Sequence, residues 1–347
     1  MERLWRNGIV HNESGMFAGK SRIDLMFPAE SITQVSLHSS GDIFEAGKDF
    51  CHTPGDNFIT RTENSRIPYL PPAALRPEGE NVKLFPAEGA NAINNAVDGG
   101  NLIFNNEDFF AANQVDISYN CISTDFDPGL DFQTEKLPAF RKKLAACEPL
   151  KITVIGDSIS EGYNATKFVN VPPFAPCYME QAAMVLGENV SLCNRAIRGT
   201  GIHQVSNIEA DYLADAPDLL VIAYGMNNFF RMPVDEFISR MQELISGCHA
   251  VNPNSEYLLV SSMSGNPKWT PTASESHMLY AEKMRDFAAG SDNHTALADV
   301  HKVWNKFLER KDFYDMTGNG VNHPNDYGHR IYTSVLLEVL TGKKYFD

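Results

Sequence analysis

Ser158 stands in the stretch Lys151–Tyr163, KITVIGDSISEGY. Ile152, Val154 and Ile155 form a short apolar run with a β-branched bias, the pattern of a buried strand, and Gly156 ends the run. A serine placed where a strand turns over is presented at the strand's carboxyl end, where its hydroxyl can act as a nucleophile. Gly-Asp-Ser is also common turn chemistry, so this residue alone decides nothing. Nucleophilic chemistry by a hydroxyl needs an imidazole base and donors aimed at a developing oxyanion. Three other segments offer these: Asn194–Gly199 (NRAIRG), Gly225–Asn228 (GMNN) and Val321–Pro324 (VNHP). Taken singly, Gly199 reads as a turn glycine, Asn227 as a turn or cap residue, and His323 as the residue ahead of a helix that Pro324 opens. Taken together they make up the set that acyl transfer requires.

The elements around these residues would bring them to one edge. From Lys151 onward strands and helices alternate. Lys151–Ile155, Val190–Cys193, Leu219–Tyr224, Tyr257–Val260 and Leu297–Val300 read as strands, and Pro176–Leu186, Asn207–Leu213 and Pro324–Leu340 as helices. Pro233 opens the clearest helix, with Val234, Phe237, Ile238, Met241, Leu244, Ile245 and Cys248 on one apolar face. Thr272 and Glu275 have capping-box spacing ahead of another. The alternation predicts a parallel sheet covered by helices on both faces, with ligands bound outside the carboxyl ends of the strands.

Residues 1–124 are different. Val115, Ile117, Tyr119 and Cys121 alternate with polar residues, and shorter strand candidates lie at Ile23–Phe27, Val35–Leu37, Val82–Phe85 and Leu102–Phe104. Short strands separated by turn signals suggest a β-sandwich, jelly-roll-like domain. Residues 125–149 read as a linker with a short helix over Glu135–Ala146, and 150–347 as the catalytic domain. FAGKS at Phe17–Ser21 lacks the first glycine of a phosphate loop.

The chain has 347 residues, 43% of them hydrophobic, and a net charge of −15. An acidic chain without a basic cluster argues against nucleic acid and anionic membrane as partners. No run of 18 apolar residues exists to span a bilayer. The start, MERLWRNGIV, lacks the apolar core of a signal peptide, so the expectation is a cytoplasmic protein, or a secreted one if a leader has been removed. Six scattered cysteines without a CxxC pair read as thiols, neither a disulfide frame nor a zinc site. A homo-oligomer is compatible with the sequence.

Ser158, Gly199, Asn227 and His323 occur in the order and motif context of the SGNH (GDSL-type) hydrolases. GDSISEGY resembles that family's first block, NRAIRG its second, GMNN its third and NHPND its last, over roughly Leu150 to Leu340. The resemblance implies a flavodoxin-like α/β/α sandwich and a serine esterase that needs no metal or organic cofactor. By it Ser158 is the nucleophile and His323 the general base. The N–H groups of Ser158 and Gly199, with the Asn227 amide, form the oxyanion hole. One position departs from the pattern. Where the family usually carries Asp three residues before the histidine, this chain has Gly320. The group that orients the imidazole is then Asn319 or Asp315 reaching in through a loop shift, or a main-chain carbonyl in a Ser-His dyad, and the dyad is the favoured expectation. Asp157 is expected to organise the nucleophile turn. His323, Asp326 and His329 are spaced three and three, which spreads them around a helix and argues against a metal site.

Two loops are expected to rim the site, Asn164–Pro176 and Ser264–Thr272. In the second, Trp269 suits either stacking on a sugar ring or covering the core. A β-sandwich ahead of an SGNH domain is similar to carbohydrate esterases that deacetylate sugars, including those of carbohydrate esterase family two. The expected substrate is therefore a small acyl ester, an acetyl group on a carbohydrate. The alternatives are a lipid or thioester hydrolase on the same machinery, or a carbohydrate-binding protein with a degenerate hydrolase domain.

Overall fold

The computed structural model describes residues 3–273, 275–292 and 294–347. Five strands form a fully parallel sheet in the spatial order Val190–Asn194, Leu150–Gly156, Leu219–Ala223, Glu256–Val260, Thr295–Ala298. In chain order this is 2-1-3-4-5, the doubly wound arrangement whose switch point lies between the first and third strands. The strands are apolar because helices cover both faces: Ile152, Val154, Leu219, Val221, Ile222, Leu258 and Leu259 are fully buried. The Val234–Val251 helix buries the stripe its sequence announces, through Phe237, Met241, Leu244 and Cys248.

Segments that the sequence places as strands shift at their ends. Thr295–Ala298 stops before Asp299, whose side chain caps the helix Val300–Leu308 by accepting from Lys302 N. Val82–Phe85 forms no strand and makes only an isolated bridge through Leu84 to Ala92. The capping box expected from Thr272 and Glu275 does not form. Thr272 lies in a short turn of helix, Thr270–Ala273, where its hydroxyl donates to Asn266 O at 2.8 Å, and Glu275 is itself the N-cap of the helix Ser276–Gly290, without a side-chain cap hydrogen bond.

The amino-terminal part is antiparallel. Trp5–Arg6, Ile9–Gly15, Val115–Cys121 and Ala29–Leu37 form one sheet, in that order, and smaller sheets of three and two strands accompany it. It is joined to the parallel domain through buried polar contacts. The Lys311 ammonium, fully buried, lies 2.8 Å from Glu13 Oε1 and 3.4 Å from Asp315 Oδ2. Asn325 Nδ2 donates to Ser14 Oγ and Gln114 Oε1, both at 3.0 Å. The last helix, Asp326–Thr341, starts beside Asn325 and is buried along most of its length by the helices Tyr178–Leu186 and Val300–Leu308 and the Thr295–Ala298 strand. No helix among the described residues is long and apolar enough to cross a membrane.

Candidate active site

The Leu150–Gly156 strand ends at Gly156, where a side chain would not fit: a Cβ there would stand 2.6 Å from Ser160 Oγ and 2.8 Å from Ala223 O. The chain then turns into a one-turn helix, Ser158–Glu161. Asp157 caps it, its carboxylate accepting from Ile159 N at 3.0 Å, which is the organising role the turn suggested. Burial pushes the Asp157 carboxyl up to about 7. Ser158 is the first residue of that helix, so its N–H has no partner within it. The turn stops at Gly162, whose φ of +105° reverses the chain toward Tyr163 and Asn164.

His323 arrives on the loop between Met316 and Asp326. Its Nε2 lies 2.8 Å from Ser158 Oγ. Its Nδ1 lies 2.7 Å from Oδ1 of Asn164. A carbonyl oxygen only accepts, so Nδ1 carries the ring proton and the Nε2 lone pair faces the serine hydroxyl. That is the tautomer a general base needs. The ring is buried, and burial, with His329 nearby adding to it, pushes its pKa down to about 3.

The third member of this chain of hydrogen bonds is thus a side-chain amide from the first rim loop, and the sequence reading did not find it. Neither residue expected to orient His323 does so. Asp315 is turned to the domain interface, where its carboxylate accepts from Met16 N at 2.8 Å and faces Lys311. Asn319 holds the backbone instead: its Oδ1 accepts from the N–H groups of Val321, Asn322 and His323 at 3.0 to 3.1 Å. It shapes the loop that carries the histidine but leaves the ring to Asn164. The favoured main-chain carbonyl is also displaced by that amide. Asn325, and not His323, caps the last helix, by accepting from Gly328 N at 2.9 Å. Asp326 is committed to Thr166 and His38.

The only signal for Asn164 in the sequence is its type. Asparagine tolerates the left-handed φ of +63° found there better than most residues do. Its approach to His323 depends on Gly318, where a Cβ would stand 2.5 Å from Asn164 Cβ.

The two segments expected to supply oxyanion donors flank the Ser158 turn at the switch point. The loop after Val190–Asn194 is stitched to the Leu150–Gly156 strand: Arg195 N donates to Val154 O at 2.8 Å and Ile197 N to Gly156 O at 3.0 Å. Arg198 N donates to Glu161 Oε2 at 2.7 Å, which sets Gly199 beside the Ser158–Glu161 helix with φ +72° and open space where a Cβ would stand. Asn227 follows Leu219–Ala223, the strand paired to Leu150–Gly156 on the other side, and donates one amide hydrogen to Thr200 O at 3.0 Å. That contact leaves its second amide hydrogen for another acceptor.

Around this core the Tyr163 ring lies 5.5 Å from the His323 ring, with Phe168 against it and Arg198 over it. Trp269 acts as a strut. It packs against the cluster of Ile93, Leu102, Phe104 and Val321, donates from Nε1 to Asn94 O at 3.1 Å, and meets Phe230 edge to face. Among the described residues no cluster of His, Cys, Asp or Glu could hold a metal ion.

The chain is similar to several solved structures over part of its length. One is a catalytic mutant of Axe2, an acetylxylan esterase from Geobacillus stearothermophilus, at 18% identity over 57% of this chain and 96% of that one, with a TM-score of 0.47. Another is a two-domain esterase, CEX, active on acetylated mannans, at 18% identity over 61% of this chain and 54% of that one, with a TM-score of 0.46. A member of the lipolytic protein G-D-S-L family from Veillonella parvula matches at 16% identity over 55% and 97%, with a TM-score of 0.45. No curated protein sequence matches the chain. The model of the GDSL-like lipase/acylhydrolase family matches residues 154–331, more than half of the chain, and spans Ser158, Gly199, Asn227 and His323 together. The chain belongs to the GDSL-like lipase/acylhydrolase family.

Proposed function

We propose that the protein is a serine esterase that removes small acyl groups, acetyl above all, from carbohydrates. The observation that carries the reading is the hydrogen-bonded chain Ser158–His323–Asn164, with links of 2.8 and 2.7 Å. In this mechanism Nε2 of His323 takes the Ser158 proton as Oγ attacks the ester carbonyl. The N–H groups of Ser158 and Gly199 and the free amide hydrogen of Asn227 stabilise the tetrahedral oxyanion. His323 then returns the proton to the leaving alcohol, and a water, deprotonated by the same nitrogen, clears the acyl-enzyme. Asn164 fixes the tautomer throughout but, being neutral, stabilises the imidazolium less than a carboxylate would.

Two features support a short acyl group on a polar alcohol. The void beneath the Ser158 turn, between Asp157, Ser160, Tyr178, Val260 and Tyr332, measures about 10 Å³, about one water's worth, so an alkyl chain has no room to run down beneath the turn. Beside Phe230, three residues past Asn227, an open cleft of about 660 Å³ is lined by Asn94, Asn95, Asn101 and the backbone of Gly99 and Gly100. Amides beside an exposed aromatic ring suit a sugar's hydroxyls and its apolar face. The reading as a degenerate, binding-only domain rested on the missing Asp; against it, Asn164 Oδ1 supplies an acceptor for His323 Nδ1 at 2.7 Å.

The test is a series of p-nitrophenyl esters from acetyl to octanoyl, run beside acetylated xylo- and manno-oligosaccharides. The acetyl ester is expected to have the highest kcat/KM, about tenfold or more above octanoyl, and acetate to be released from the oligosaccharides. A kcat/KM that climbs with chain length would replace this reading with a lipid hydrolase.

A further inference from the structure

Resting on the assignment of His323 as the base, we propose that His38 of the amino-terminal domain is a positioning residue for the reaction, acting through Asp326 and the Thr166–Asn164 turn. His38 follows the Ala29–Leu37 strand. Its Nδ1 lies 2.9 and 3.0 Å from the two oxygens of Asp116, and its Nε2 lies 2.9 Å from Asp326 Oδ2. Carboxylates only accept, so both ring nitrogens carry protons and His38 is an imidazolium held between two acids.

Asp326 stands in the first turn of the last helix, three residues past His323. Its Oδ1 accepts from Thr166 N at 2.9 Å and its Oδ2 from the Thr166 hydroxyl at 2.6 Å. That hydroxyl in turn accepts from Ala175 N at 2.8 Å, which ties the two ends of the loop together. Two residues before Thr166 is Asn164, the acceptor for His323. Side chain and backbone thus run without a gap from Asp116 through His38, Asp326, Thr166 and Asn164 to the base.

The Asn164 turn needs such a hold. Its φ is left-handed, and its Nδ2 is buried without a partner; both features favour release of the turn when nothing restrains it. Gly318 abuts it on one side, and Asp326 pins it on the other. Asp326 can serve as a charged acceptor at only 5% exposure because a cation faces it. Burial alone would lower the His38 pKa. The hydrogen bonds and charges of Asp116 and Asp326 outweigh burial and raise it to about 10, so the cation persists through the working range. His38, Asp116 and Asp326 line an interdomain cavity of about 260 Å³ together with Asn12 and Arg330.

The experiment compares His38→Asn, Thr166→Val and Thr166→Ser in the full chain, with kcat and KM for p-nitrophenyl acetate, the rate of phosphonate labelling at Ser158, and the melting temperature. His38→Asn and Thr166→Val should each lower kcat and the labelling rate about tenfold or more with KM changed less than about twofold, and Thr166→Ser should restore both to within about threefold. Combined, His38→Asn and Thr166→Val should cost little more than the worse of the two, because they cut one path. Folded variants that keep wild-type kcat would overturn the proposal, as would losses that simply add. A His38→Asn chain that fails to fold leaves the decision to the Thr166 pair, which keeps the interdomain ion pairs intact. Wild-type protein whose Ser158 resists the phosphonate would sink the esterase reading and this one with it. Normal wild-type labelling with unaffected variants would sink only this one.

Discussion

The carbonyl oxygen of Ile103 stands 2.5 Å from the point a Cβ on Gly320 would occupy, and the Phe110 ring stands 2.9 Å from it. The amino-terminal part of the chain therefore fills the space that a side chain at position 320 would take. Gly320 also has φ +88°, which a side chain strains. Substituting Gly320 by Asp should not rebuild a carboxylate triad. It should destabilise the protein by roughly 2–6 kcal/mol, combining backbone strain with overpacking. Thermal melting and solubility check this; a stable Gly320→Asp variant with raised kcat would show that the interface yields.

Asn164 should matter to rate far more than Asp315 or Asn319. Asn164→Ala is expected to lower kcat on the order of 10² or more, because the ring loses its tautomer and its aim. Asp315→Asn should leave kcat of the folded enzyme within about tenfold while lowering its stability, since it weakens the buried Lys311 cluster. If Asp315→Asn cost 10⁴ in kcat with circular dichroism unchanged, the assignment of Asn164 would be wrong.

The pH profile follows from burial. His323 must be neutral to accept the serine proton, and its pKa is pushed down to about 3. Through His323, activity is lost only as pH falls toward that value. Asp157, whose carboxyl burial pushes up to about 7, keeps an oxygen to accept from Ile159 N when protonated. So kcat/KM should be nearly flat from about pH 5 to 8. In Asn164→Asp an opposite charge would sit against the ring and favour the imidazolium, raising the pKa. Its acid limb should then move upward by about one unit or more. A wild-type profile that falls off through pH 6.5 contradicts this account.

Ser158→Ala should reduce kcat by about 10⁴-fold or more and abolish phosphonate labelling without disturbing the fold. Labelling that survives the substitution would move the nucleophile elsewhere.

Asn227→Ala should cost on the order of 10² to 10³ in kcat with KM little changed, as loss of one oxyanion donor does. Its amide also holds Thr200 O, so Gly199 should lose part of its placement in the same variant. Full kcat in the folded variant would remove Asn227 from the oxyanion hole.

What the sequence determined by itself was whatever is written locally. The apolar runs ending at Gly156 and Ala223 announce strands because a strand buried on both faces must be apolar throughout. The stripe from Val234 to Cys248 announces a helix through its period. Ser158, Asn227 and His323 stand out because each follows or precedes such an element within a few residues. The rest depended on contacts between distant parts of the chain. Asn164 meets His323 across 159 positions, and nothing in NATKFVNVPPFAP marks that asparagine apart from a turn residue. Asp315 and Asn319 lie closer in sequence, yet one is drawn away by Lys311 and the other by three backbone N–H groups. Local pattern carries no record of such competition, because a buried polar side chain goes to whichever partners the packed chain leaves near it. His38 reaches Asp326 over 288 positions, so the tie between the amino-terminal domain and the loop that carries His323 exists only once both domains are folded and in contact.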